Sequence, residues 1–183
     1  MHARTRGNGQ STPGSVAVWV GADTTPAPIV GTVCRVFRAS DSSVSQGSGN
    51  NKLPNSFFDT IDVIGNGITW DSVQGRATVS KAGMYIMDCR LEKSSQWGNT
   101  ITPMVTFRKN GAVASWGVPA DTSSGILITF TASKTIAHQA LLYLRPGDYI
   151  EPGTWLNSSA SLVGDAVGAL SYFSLSRLSD AAG

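Results

Sequence analysis

Two histidines, two cysteines and a thin scatter of carboxylates are the groups in this chain that could do chemistry. His2 sits in an N-terminal stretch with no periodic pattern, so a Ser-His-Asp arrangement would have to use His138. His138 falls in a strand pattern among Ala and Gln, with no Gly-x-Ser-x-Gly elbow to present a nucleophile. Zinc needs three or four close Cys, His or carboxylate ligands, and no such cluster occurs. Asp59 and Asp62 could join backbone oxygens around calcium, but two solvated loop carboxylates are the simpler reading. The segment GNGITW lacks the lysine of a phosphate-binding loop. The expectation is a protein that is not an enzyme and holds no metal or cofactor.

Trp97 lies in the polar segment KSSQWGNT, and Trp116 follows a hairpin signal beside Gly117. Exposed tryptophans stack on sugar rings or anchor protein interfaces. Partial burial under loops is the commoner fate of the residue type. Both are carried forward as candidate ligand contacts.

The elements that must position these residues are strands. The 183 residues can bury about 70% of the unfolded surface without disulfides or metals. Charged residues make up only 14% of the chain, where about 25% is usual, so much of the surface is expected to meet other protein. A net charge of +2 without clustered Lys and Arg argues against nucleic acid. No run of about 18 apolar residues is present to span a membrane, and the start of the chain carries no secretion-signal pattern.

Residues 1–32 read as an arm. They are punctuated by Gly, Pro, Ser and Thr, and carry a short basic pair, Arg4 and Arg6. The arm also contains an apolar run, VAVWV, whose Val16, Val18 and Trp19 could add a strand to a sheet edge. Residues 33–183 read as one all-β domain. Turn signals recur at Asn66-Gly67, Asn110-Gly111, Pro146-Gly147 and Pro152-Gly153.

In GMYIMDCRLEK, Tyr85, Met87, Cys89 and Leu91 share one face, and Met84, Ile86, Asp88 and Arg90 the other. In ITPMVTFRKN, Ile101, Val105 and Phe107 oppose Thr102, Thr106 and Arg108. Later, Ala140, Leu142 and Leu144 oppose Gln139, Leu141 and Tyr143. A sandwich in water should show one wet face. Met84, Ile86, Leu141 and Tyr143 place apolar side chains on faces that should be wet, which points to a covering partner.

The order of motifs resembles the jelly roll of the tumour-necrosis-factor and complement-globular-head (C-one-q) family. The segments carrying the likeness are VCRVFRAS, LPNSFFDTIDVIGNGITWD, GRATVSKAGMYIMDCRLE, VTFRKNGAVAS, ALLYLRPGDYIEP and SYFSLSRL, covering about residues 33–178. The resemblance implies an antiparallel two-sheet jelly-roll sandwich and a homotrimer with an apolar three-fold axis. Carried onto this chain, the axis residues are Ile86, Leu141, Tyr143 and one of Tyr172 or Phe173. It also implies that the closing strand separates Cys34 from Cys89, about 10 Å apart, too far for a disulfide.

Jelly rolls of this type with neutral Gly/Ser/Thr-rich loops and an arm look like bacteriophage virion proteins. The expected function is a trimeric binding module on a virion surface, made in the host cytoplasm. It would sit at the tail tip or fibre, touching a host glycan or receptor, or decorate the capsid, with the arm docked on other virion proteins. A free-standing lectin-like trimer is the alternative.

Overall fold

The computed structural model describes residues 31–95, 103–116 and 134–180. Thirteen strands and no helix are found among them: β1 (Val33–Phe37), β2 (Val44–Gln46), β3 (Gly49–Lys52), β4 (Thr60–Ile64), β5 (Ile68–Asp71), β6 (Arg76–Val79), β7 (Gly83–Lys93), β8 (Pro103–Lys109), β9 (Ala112–Trp116), β10 (Thr135–Leu144), β11 (Tyr149–Leu156), β12 (Ala160–Val163) and β13 (Tyr172–Asp180). The candidate arm residues Arg4, Arg6, Val16, Val18 and Trp19 lie outside the described residues, as do Trp97, Ile101 and Thr102.

The strands form two antiparallel sheets. The first runs β2-β12-β7-β13-β1-β4, with β10 on the other edge of β7. The second runs β5-β6-β11-β8-β9, with β3 also on β11. Between them lies one apolar core. Tyr85, Met87, Cys89 and Leu91 of β7 are fully buried, as period-two alternation requires. The rings of Phe58, Trp70, Phe107 and Phe173 meet across the sandwich, with Phe173 5.9 Å from Trp70 and 6.2 Å from Phe107. Aromatic pairs at such spacings add to what burial alone supplies.

Local chemistry explains two of the turns. Asn110 (φ 52°) and Gly111 (φ 82°) both take positive φ between β8 and β9, the requirement of the tightest hairpin turn. At Arg145-Pro146-Gly147-Asp148, the Asp148 amide donates to the Arg145 carbonyl at 2.9 Å and Gly147 has φ 89°. This is the turn that Pro followed by Gly favours.

Pro152-Gly153 corrects the sequence reading. It is no turn but the interior of β11, where Pro152 pairs with Phe107 and Gly153 with Thr106. Along its other edge β11 pairs with β6 at Tyr149 and Ile150, and with β3 from Gly153 onward. Pro152 stands between those two partners. Its carbonyl accepts the Leu53 amide at 3.0 Å, and the donor it lacks would have faced the gap. Gly153 is required by close approach: a Cβ there would stand 2.6 Å from the Asn51 carbonyl oxygen and 2.9 Å from Thr106 Oγ1.

Cys34 and Cys89 are both buried and free, on β1 and β7, with β13 between them. Burial pushes the Cys34 thiol up to about 12. The Cys89 thiol is raised by burial and further by the charge of Asp88.

Candidate functional site

The outward face of the first sheet is built by register. Along β7 and β10, Tyr143 lies opposite Met84, Leu141 opposite Ile86, Gln139 opposite Asp88 and Ala137 opposite Arg90. On the other side of β7, β13 places Ser176 beside Ile86, Ser174 beside Asp88 and Tyr172 beside Arg90. Next comes β1, with Val33 beside Ser176 and Arg35 beside Ser174. Side chains in such cross-strand rows touch one another.

These rows divide the face into an apolar end and a charged end. At the apolar end Leu141 is 56% exposed, Tyr143 44%, Met84 36% and Leu178 58%, with half-buried Ile86 among them. Leu178 belongs here because it continues the outward series of Tyr172, Ser174 and Ser176, and only beyond it does the ladder between β13 and β7 shift register to bring Ser179 beside Met84.

At the charged end, Arg35 pairs with Asp62, donates to the Gly168 carbonyl at 2.7 Å and lies 4.9 Å over the Tyr172 ring. The Tyr172 hydroxyl donates to Asp88 Oδ2 at 2.9 Å. Burial, with the Asp88 hydrogen bond and charge, pushes the Tyr172 phenol up. Asp62 is thus spent on Arg35. Asp59 accepts the Ala39 amide at 2.8 Å and the Thr60 hydroxyl at 2.9 Å. Among the described residues no three His, Cys, Asp or Glu side chains gather to hold a metal.

Of the five residues read as axis-facing, Ile86, Leu141, Tyr143 and Tyr172 share this outward face. Phe173 does not: it is fully buried among the core rings. The sequence carries the signal that separates the pair, since Phe173 alternates with Leu175 while Tyr172 alternates with Ser174 and Ser176. Met84, which the alternation already places outward, and Leu178 join the face beyond the axis residues that the resemblance implies. Trp116 is the last residue of β9.

His138 has a hydroxyl partner. Its Nε2 lies 2.8 Å from Ser115 Oγ, and its ring stacks on Phe107 at 5.3 Å. Burial lowers its pKa, with the charge of Asp88 opposing. Asp88 cannot serve as the third member of a triad. His138 pairs with Cys89 and shares its core-side face, whereas Asp88 points outward and is held by Tyr172. Ser115 and His138 link β9 of one sheet to β10 of the other.

No protein-family model matches this chain, and no curated protein matches it. Solved structures do. Eiger TNF from S. frugiperda aligns with a TM-score of 0.55 over 86% of this chain and 97% of that one, at 12% identity. Murine APRIL at pH 8.0 aligns with a TM-score of 0.51 over 80% and 98%, also at 12% identity. The chain therefore has the tumour-necrosis-factor-like jelly-roll fold. At this identity the likeness is one of fold.

Proposed function

We propose that the protein is a homotrimeric binding module, not an enzyme, whose subunits meet on the outward face of β7 and β10. One observation carries the reading: Met84, Ile86, Leu141, Tyr143 and Leu178 form a contiguous apolar end on a sheet face turned away from the core. A contiguous apolar surface on a domain with so little charge elsewhere is characteristic of an interaction site. Fully covering an apolar side chain of this size contributes about 1.5–3 kcal/mol.

The finer reading is a component of a bacteriophage virion surface, at a tail tip or fibre or on the capsid, docked through residues 1–32. Its support is the sparse charge, the neutral Gly/Ser/Thr-rich loops and the apolar and basic pieces of the arm. Immunogold imaging of assembled particles tests this placement.

Light scattering tests the trimer. The wild type should have three times the 19.2 kDa chain mass. Tyr143→Asp should be monomeric while keeping the far-ultraviolet spectrum of a β-protein, because it buries an unpaired charge at the contact. A monomeric wild type, or a Tyr143→Asp variant that stays trimeric, would overturn the assignment.

A further inference from the structure

A second exposed apolar strip lies at the opposite edge of the same sheet. β4 pairs with β1 on one side, and among the described residues its other edge has no strand partner. Its sequence, TIDVI, has no Lys or Pro, and its edge is guarded only by its short length, the Asp62 charge and a bulge. The ladder between β1 and β4 shifts register at Arg35 and Val36, leaving Asp62 as the extra residue. The bulge brings Ile61 opposite Val36 and Ile64 opposite Cys34, and both of those partners are buried core residues. Ile61 and Ile64, three positions apart, therefore lie on the same core-side face. Even so they are 50% and 43% exposed. The sandwich is open on this side, and two isoleucines line the opening.

The N-terminal segment enters the fold at this place. The Thr32 carbonyl accepts the Arg177 amide at 2.9 Å, and the Gly65 amide donates to the Val33 carbonyl at 2.7 Å. A side chain on Gly65, the residue after β4, would collide with the Gly31 carbonyl. The thirty residues before Gly31 thus start out beside the end of β4.

Those thirty residues contain one strong strand-forming run, Val16–Val20, VAVWV. The ten residues from Gly21 to Val30 can span about 33–36 Å when extended. β4, with five residues, is about 17 Å long. The run can therefore reach the whole free edge of β4 on its own subunit.

We propose that Val16–Val20 lies along the free edge of β4 and covers Ile61 and Ile64, closing the open side of the sandwich. Main-chain hydrogen bonds supply the pairing, and alternate side chains of the run pack over the two isoleucines. This inference is independent of the β7–β10 face: it concerns the other edge of the sheet and holds for a monomer or a trimer.

Cysteine cross-linking of the full chain tests it. Cys34 and Cys89 are buried, so Trp19→Cys combined with Ile61→Cys should form a 19–61 disulfide on mild oxidation, identified by peptide mass. A 19–61 bridge within one chain supports the proposal, and a 19–61 bridge found only between chains overturns it, since the strand would then come from another copy. Absence of a bridge from Ile61→Cys to both Trp19→Cys and Val18→Cys, which cover the two faces of the run, or a 61–61 bridge between copies, overturns it. Hydrogen exchange on chains without added cysteines gives a second readout. Val18→Pro removes a donor from the run and should speed exchange of β4 amides about tenfold, while amides of β7 and β13 stay unchanged. Equal β4 exchange in the wild type and Val18→Pro overturns the proposal, and light scattering of Val18→Pro keeps that result separate from any failure of the trimer.

Discussion

Asp148 shows how one carboxylate organises a corner of the molecule. It accepts the Arg145 amide at 2.8 Å, Lys109 Nζ at 2.8 Å and Asn110 Nδ2 at 2.7 Å. Asn110 in turn accepts the Tyr149 amide at 3.0 Å. The Asn110-Gly111 and Pro146-Gly147 turns are thereby tied together. Burial pushes the carboxyl up, but the hydrogen bonds from Lys109, Arg145 and Asn110 and the Lys109 charge outweigh it and hold the pKa at about 2, against an ordinary 3.8. The folded value is the lower one, so the stabilisation is complete above about pH 4 and is lost as the pH falls toward 2. Asp148→Asn should lower stability at neutral pH. It should also flatten the acid limb of a stability-against-pH curve, by up to about one proton between about pH 4 and 2. Denaturant titrations across that range check both effects.

At the scale of the element, β11 and β13 show where strand patterns speak and where they mislead. Alternation in β13 places Phe173 and Leu175 inside and Tyr172, Ser174 and Ser176 outside, and the structure agrees residue by residue. In β11, Pro152-Gly153 imitates a turn. Local turn chemistry is a statement about φ, whereas the fate of this pair depends on β3, β6 and β8, which lie far away in the chain. Gly153→Ala should lower unfolding stability by about 1–3 kcal/mol, since its Cβ has no free space and the neighbouring strand must shift. A shift in the denaturation midpoint measures it. The bulges at Asp62 and Leu178 belong to the same class of feature. The one at Asp62 decides that Ile61 and Ile64 face the same way, and it leaves no mark in the alternation.

For the whole molecule, the two open regions of the first sheet stand at opposite edges. One is the β7–β10 face proposed as the subunit contact, the other the β4 edge proposed as the seat of the arm. Association linked to folding makes apparent stability depend on protein concentration. The melting temperature of the wild type should therefore rise over a hundredfold increase in concentration, and that of Tyr143→Asp should stay constant. Scanning calorimetry at both ends of the range distinguishes these outcomes.

The sequence by itself determined the strands, their inner faces, the Asn110-Gly111 and Pro146-Gly147 turns, the jelly-roll order and the outward placement of Ile86, Leu141 and Tyr143. These rest on a period of two and on local φ preferences, which a linear string records. Only the tertiary structure decided that Pro152-Gly153 runs through a strand, and that Ile61 and Ile64 share one core-side face and are nonetheless exposed. Those outcomes depend on which strand lies beside which and on where one sheet stops covering the other. Pairing between residues a hundred positions apart is set by the packing of the whole sandwich, and no short window of sequence contains it.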